Sequence, residues 1–268
     1  MKTFRFIGMA LFAILMCVNL SSCSSSDDDP TEEKEEGGVV VSGKKITKIV
    51  GTGVFKNVTY TFKYDDKGKL VESIYTEGPD GNIDVVNKKY TWSDNTIKVN
   101  WSSGQYHYSQ VLTIKNGLVT IENSSDENPF YYKKIFTYNE SNKIVKIEDE
   151  GDDTTTAIWD GEKLESISNT DGWNTSLIYE KSCKNGYFPF IAEMIGGENE
   201  VLFMAHPEIV GMKTTQLPST MTDSYDYGVY GSGTDITHFN YEFDNEGYIS
   251  KIAGEVDGSA YAYTITWQ

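Results

Sequence analysis

An all-β fold is what the sequence predicts: a large, strongly curled antiparallel sheet, an incomplete or small barrel, built from repeated β-hairpins. Three observations carry this expectation. Apolar and polar residues alternate with period two, turn-forming residues punctuate the alternation at short intervals, and one hairpin unit recurs along the chain.

The alternation is clearest in Val58-Thr59-Tyr60-Thr61-Phe62-Lys63-Tyr64, where every even position is apolar or aromatic and every odd one polar. Ile97–Trp101, Phe239–Phe243 and Tyr261–Trp267 read the same way. Successive strand side chains point to opposite faces, so each stretch is a strand with one buried and one wet face. Between the strands, Asp65–Gly68, Asn116-Gly117, Asp160-Gly161, Asp171-Gly172 and Asp244–Gly247 supply residues that tolerate positive φ, as tight hairpin turns require.

The repeat appears when the segments are aligned on these turns. Phe62-Lys63-Tyr64-Asp65-Asp66-Lys67-Gly68-Lys69-Leu70 with Ile74 beyond matches Tyr241–Ile249 with Ile252, and Phe136–Ile144 with Ile147. The third copy places Asn142 where the others have glycine, and Ile158–Leu164 with Ile167 is a shortened copy. Leu70 to Ile74 is one residue longer than Ile249 to Ile252, which a β-bulge in the first copy would absorb. The aromatic-x-aromatic-Asp-x-x-Gly-x-aliphatic unit resembles the tyrosine-aspartate hairpin repeats of bacterial surface proteins. Together with Gly211–Ser219 it resembles more closely a Bacteroidetes lipoprotein family of unknown function described as having a porin-like fold. The resemblance covers most of residues 45–268 and implies a broad coiled sheet, with no chemistry attached to particular residues. It does not imply a pore, because the second strand faces are Thr, Lys, Asn and Glu, not an apolar band.

One stretch breaks the rhythm. From Gly186 to Thr222 no strand-and-turn pairs occur, Pro189, Gly196-Gly197, Pro207 and Pro218 interrupt the chain, and apolar residues cluster from Phe188 to Met204. An irregular or short-helical excursion near 186–222 follows, read as a plug over exposed apolar sheet, with a ligand-binding lid as the alternative.

The amino terminus predicts an address. Lys2 and Arg5 precede an apolar run from Phe6 to Leu20, too short to span a bilayer, and Leu20-Ser21-Ser22-Cys23 resembles the bacterial lipobox. Residues 1–22 then read as a lipoprotein signal peptide and Cys23 as the lipidation point. Ser26-Asp27-Asp28-Asp29 resembles the export signal of surface lipoproteins. Residues 23–38 read as an acidic flexible tether and 39–268 as a single all-β domain. The expected location is the outer membrane, lipid-anchored and facing the cell exterior. Losing Lys2 and Arg5 takes the formal charge of −17 to −19, and the tether carries six of those charges, which leaves −13 on residues 39–268. A nucleic-acid partner is excluded on that balance.

Chemistry is sparse. With Cys17 removed and Cys23 acylated, Cys183 remains as a small buried hydrophobe with no disulfide open to it. His107, His206 and His238 lack ligand spacing, so no metal, cofactor or catalytic residue is assigned. Gly231–Asp235 reads as a loop, and the acids of 149–153 as solvated or at most a loose calcium turn. Of the five tryptophans, Trp173 follows the Asp171-Gly172 turn and is the candidate for stacking on a ligand at a hairpin tip. The function expected is a non-enzymatic surface module binding a glycan, an envelope component or a host molecule. A structural partner of an outer-membrane complex is the alternative. A glycan-acting hydrolase comes third and would need two carboxylates about 5 to 10 Å apart in a concave site.

Overall fold

The structure, a computed structural model, describes residues 43–78, 83–124, 132–151, 153–187, 189–191, 195, 197–212, 214, 216–226, 231–256 and 258–268. Among them, sixteen antiparallel strands run up and down in sequence order, and β1 closes the ring by pairing with both β2 and β16. The strands are β1 Ile46–Gly53, β2 Thr59–Tyr64, β3 Leu70–Glu77, β4 Asp84–Trp92, β5 Thr96–Ser103, β6 Tyr106–Lys115, β7 Leu118–Ser124 and β8 Lys133–Tyr138. They continue as β9 Ile144–Asp149, β10 Thr154–Asp160, β11 Lys163–Asn169, β12 Trp173–Ser182, β13 Gln216–Asp226, β14 Ser232–Phe243, β15 Ile249–Val256 and β16 Ser259–Trp267. The curled sheet is therefore a complete barrel. Its apolar phase points inward, with Ile49, Tyr60, Ile97, Leu112 and Tyr263 buried, while Thr61, Lys63, Lys98 and Asn100 face out and are exposed.

The repeated unit explains how the ring is held. In three hairpins the first turn residue folds its side chain back over the turn. Asp65 Oδ1 accepts the N–H of Lys67 and Lys69 at 3.0 and 2.8 Å. Asn139 does so for Ser141 and Lys143, and Asp244 for Glu246 and Tyr248. Gly68, Asn142 and Gly247 then take the positive φ of 74°, 60° and 88°. Each following strand carries a bulge: Val71, Val145 and Ser250 are the extra residues, and the shortened copy has Glu165. The expectation of a bulge in the first copy alone is corrected. The counterpart of Ile147, Ile167 and Ile252 is Ser73, at the same spacing from its aliphatic partner, and Ile74 faces outward.

The bulges aim aromatic side chains across the sheet to the neighbouring hairpin. Trp92, Trp159 and Trp267 donate Nε1–H to the carbonyls of Leu70, Ile144 and Ile249 at 2.7 to 2.8 Å. Tyr64, Tyr138, Tyr179 and Tyr241 donate their hydroxyls to Ile46, Val119, Leu164 and Pro218. Each such bond contributes about 1 kcal/mol. The repeat's aromatics are thus staples around one rim, and Lys69 and Lys143 lie over the rings of Trp92 and Trp159 at 5.4 and 5.0 Å.

The excursion fills that same end of the barrel from inside. Between β12 and β13 the chain turns inward through a 3-10 turn at Gly197–Asn199, helix α1 at Glu200–Ala205 and a second 3-10 turn at Pro207–Val210. Phe190, Val201, Leu202, Phe203, Met204, Ile209, Val210 and Met212 are fully buried. Phe190 meets the rings of Tyr60 and Tyr263, and Phe203 meets Phe136 edge-on. Buried His206 accepts the N–H of Leu70 at Nε2, 3.1 Å away, and pairs through Nδ1 with Glu208. The expected boundary is corrected at its end: residues 216–222 belong to β13, with Pro218 at a register shift opposite Tyr179. A sixteen-stranded ring leaves a lumen too wide for its own side chains to fill, so the chain supplies its own packing.

Gly211 makes the docking close. At φ 63° it ends the second 3-10 turn, and a Cβ there would overlap the carbonyl of Asn142 in the β8–β9 turn. Gly211→Ala is expected to destabilise the protein by about 2 kcal/mol or more, since it combines strain with backbone overlap. Urea unfolding measures this, and an unchanged midpoint would contradict the docking.

Candidate functional site

Inward side chains change character along the barrel axis. Near the plugged rim they are aliphatic, with Leu70, Ile97, Val119, Ile144, Leu164 and Ile249 all buried. Two steps further along the strands the same inward phase carries Lys88, Gln110, Glu122, Thr175 and Asp223, all buried, with half-buried Lys134, Asp149 and Asp235 beside them. Near the far mouth the inward aromatics Trp101, Tyr108, Tyr132, Trp173 and Tyr225 are only half-buried. The plug packs at the aliphatic level, and beyond it the inward side chains are polar and then aromatic.

One wall is formed by β3 to β9 and the top of the plug. Ser73, standing where the other repeats have isoleucine, hydrogen-bonds Tyr90 at 2.9 Å. Lys88 reaches Glu200 at the start of α1 over 3.5 Å, and Lys134 lies 3.9 Å from Asp149. Tyr132 donates to Glu122 at 2.9 Å, and Trp101 lies over Tyr108 with ring centres 4.4 Å apart. Charges taken out of water need such partners, and here the barrel lysines find theirs on the plug and the neighbouring strand.

The opposite wall is a grid on β12, β13 and β14. Strand register sets Trp173 against Tyr225 and Gly233, then Thr175 against Asp223 and Asp235, then Leu177 against Met221 and Thr237. A Cβ at Gly233 would collide with the ring of Tyr225, so that ring lies across the glycine and the sheet. Thr175 donates its hydroxyl to Asp223 Oδ1. Asp223 Oδ2, Thr237 Oγ1 and both side-chain polar atoms of Asn199 at the plug's top are buried with no partner among the described residues. Buried polar atoms nearly always have a partner in protein, water or a bound molecule, so Asp223 Oδ2 and Thr237 Oγ1, on adjacent inward positions, are candidates to meet one. Burial pushes the Asp223 carboxyl up to about 7; the Thr175 hydrogen bond opposes that rise and the Asp235 charge adds to it.

The structure places Trp173 at the first position of β12, half-buried and facing the lumen beside Tyr225, at the inner edge of the mouth. Cys23, Ser26, Asp27, Asp28 and Asp29 lie outside the described residues. Two expectations are corrected. Ser232 to Asp235 are not a loop but the start of β14, extended because each pairs with β13, and this puts Asp235 in the lumen. Cys183, expected to be buried, is half-buried just past the end of β12, where it packs against the core. His107 and His238 are exposed on outer positions, and among the described residues no cluster of three or more metal-ligating side chains occurs. Asp223, Asp235 and Lys88 were not singled out by sequence. Their signal was a charge at the apolar phase of an alternating strand.

Comparison with known proteins gives the following. Residues 1–112 match the model of a family of unknown function, DUF3836. No curated protein matches. Among solved structures, the chain is similar to a porin-like protein from Bacteroides uniformis ATCC 8492, with a TM-score of 0.60 and 16% identity over 83% of this chain and 98% of that one. The chain is thus similar over its first 112 residues to a family of unknown function and over most of its length to a porin-like protein, a likeness that gives the fold alone.

Proposed function

We propose that this protein is a lipid-anchored module of the outer cell envelope that binds a glycan at the barrel mouth opposite the plug. The observation that carries the reading is the lumen wall itself, where half-buried Trp101, Tyr108, Trp173 and Tyr225 share the inward face with buried polar atoms that have no partner among the described residues. Sugar rings offer apolar faces for stacking and hydroxyls for such groups, and concave sites combining the two are the usual form of a small-ligand pocket. The outer barrel face is polar, with exposed apolar residues such as Ile158, Ile178 and Ile236 standing singly, where a spanning barrel would need an apolar band.

The anchor fits this geometry. Lys45 and Gln268 pair at the plugged rim, so a tether running from Cys23 would leave from that end and hold the far mouth away from the membrane. A glycan array and peptidoglycan pull-down with the full-length protein test the reading, and Trp173→Ala is expected to weaken the retained glycan at least tenfold, about 1.4 kcal/mol. Retention of no glycan overturns it, as does failure of labelled palmitate to enter the protein in a Cys23-dependent manner. A hydrolytic reading is favoured by one observation, the cross-strand Asp223 and Asp235 pair with one carboxyl raised to about 7. Release of reducing ends that is lost in Asp235→Asn would establish hydrolysis.

A further inference from the structure

We propose that Asp223 and Asp235 form a subsite for a protonated primary amine, so that the sugar taken into this lumen carries a free ammonium group. The inference rests on the reading of the lumen as a glycan site and names the ligand's chemistry. The two residues are direct partners across β13 and β14 on the inward face. Directly opposed residues have Cβ atoms about 4.5 to 5.5 Å apart, a spacing at which two like charges destabilise the sheet. Asp223 is 3% exposed and has no cationic partner among the described residues; its one hydrogen bond comes from Thr175. A cation held between the carboxyls relieves the repulsion that the register imposes.

The surroundings favour an ammonium over a metal ion. An ammonium carries three N–H donors and the wall offers matching acceptors: the unpartnered Asp223 Oδ2, the Asp235 carboxylate and Thr237 Oγ1. Thr237 is an independent sign, because it is fully buried, lies on the same face one step deeper, and has no partner for its hydroxyl among the described residues. Tyr225 and Trp173 stand one step toward the mouth, where a ring attached to the amine would rest and where aromatic faces attract cations. A calcium ion calls for six to eight oxygens, which two carboxylates with two hydroxyls reach only if both bind bidentately, and Asp223 Oδ1 is already held by Thr175.

The test compares a glucosamine oligosaccharide with its fully N-acetylated counterpart of equal length, by calorimetry on the full-length protein in detergent. The amino form is expected to bind at least tenfold more tightly. Asp235→Asn and Asp223→Asn should each shrink that preference below threefold. Equal affinities, a preference that survives both substitutions, or saturation of the site by calcium alone overturns the ammonium subsite while the glycan reading stands. Binding of neither sugar overturns both.

Discussion

Phe203→Ala is expected to lower the stability of the protein by about 3 to 5 kcal/mol, although it alters none of the sixteen strands. Phe203 is fully buried in α1, whose residues from Val201 to Ala205 are all buried, and its ring meets Phe136 of β8 edge-on at 6.2 Å. A six-residue helix has no stability of its own in water, so α1 persists because the barrel encloses it. The ring of strands is closed by its own hydrogen bonds and cannot contract around the missing phenyl, which places the expected loss in the upper range for such truncations. Urea unfolding followed by tryptophan fluorescence measures it. A loss below 1 kcal/mol would show that the barrel stands without its plug.

The hairpins were legible because their signal is local. Alternation in Val58–Tyr64 and Tyr261–Trp267, and turn residues such as Asp65 and Gly247, act within a few residues of chain, and the structure has them as read. Closure was not legible. It depends on whether β1 meets β16, a contact 219 residues apart that leaves no mark in either strand alone. The span 186–222 was misjudged at its end because Pro218 reads as an interruption of the chain, while residues 216–222 open β13. An inward aspartate breaks the apolar phase on which such readings rely. The comparison of Ile74 with Ile252 failed for a related reason: spacing was matched to the nearest isoleucine, while the bulge places Ser73 on the inner face.

The candidate site was legible only in part. Trp173 stood out because it followed a turn, and the structure puts it at the lumen's mouth. Its partners are drawn from β12, β13 and β14, and the assembly of Thr175, Asp223, Asp235 and Thr237 into one surface is made by register across three strands. No short motif encodes it. The polar patch is instead a departure from the aliphatic inner phase of the repeat, shared at this level of the barrel by Lys88, Glu122 and Asp149.

That departure has a measurable consequence for pH. Asp223 has a folded-state pKa of about 7 against an ordinary 3.8, with burial as the main cause, the Thr175 hydrogen bond opposing it and the facing Asp235 adding to it. Between about pH 4 and pH 7 the folded protein holds a proton that the unfolded chain has released, so folding is progressively disfavoured as pH rises through that window and levels off above it. Three pH units correspond to about 4 kcal/mol. Asp223→Asn keeps an oxygen for Thr175 and removes the ionisation. The variant is expected to match the parent near pH 4 and to exceed its stability by a few kcal/mol at pH 8. Urea midpoints at pH 4, 6 and 8 decide it, and parallel profiles for the two proteins would refute it. A more stable amide variant would mark Asp223 as a group whose cost in stability a ligand offsets.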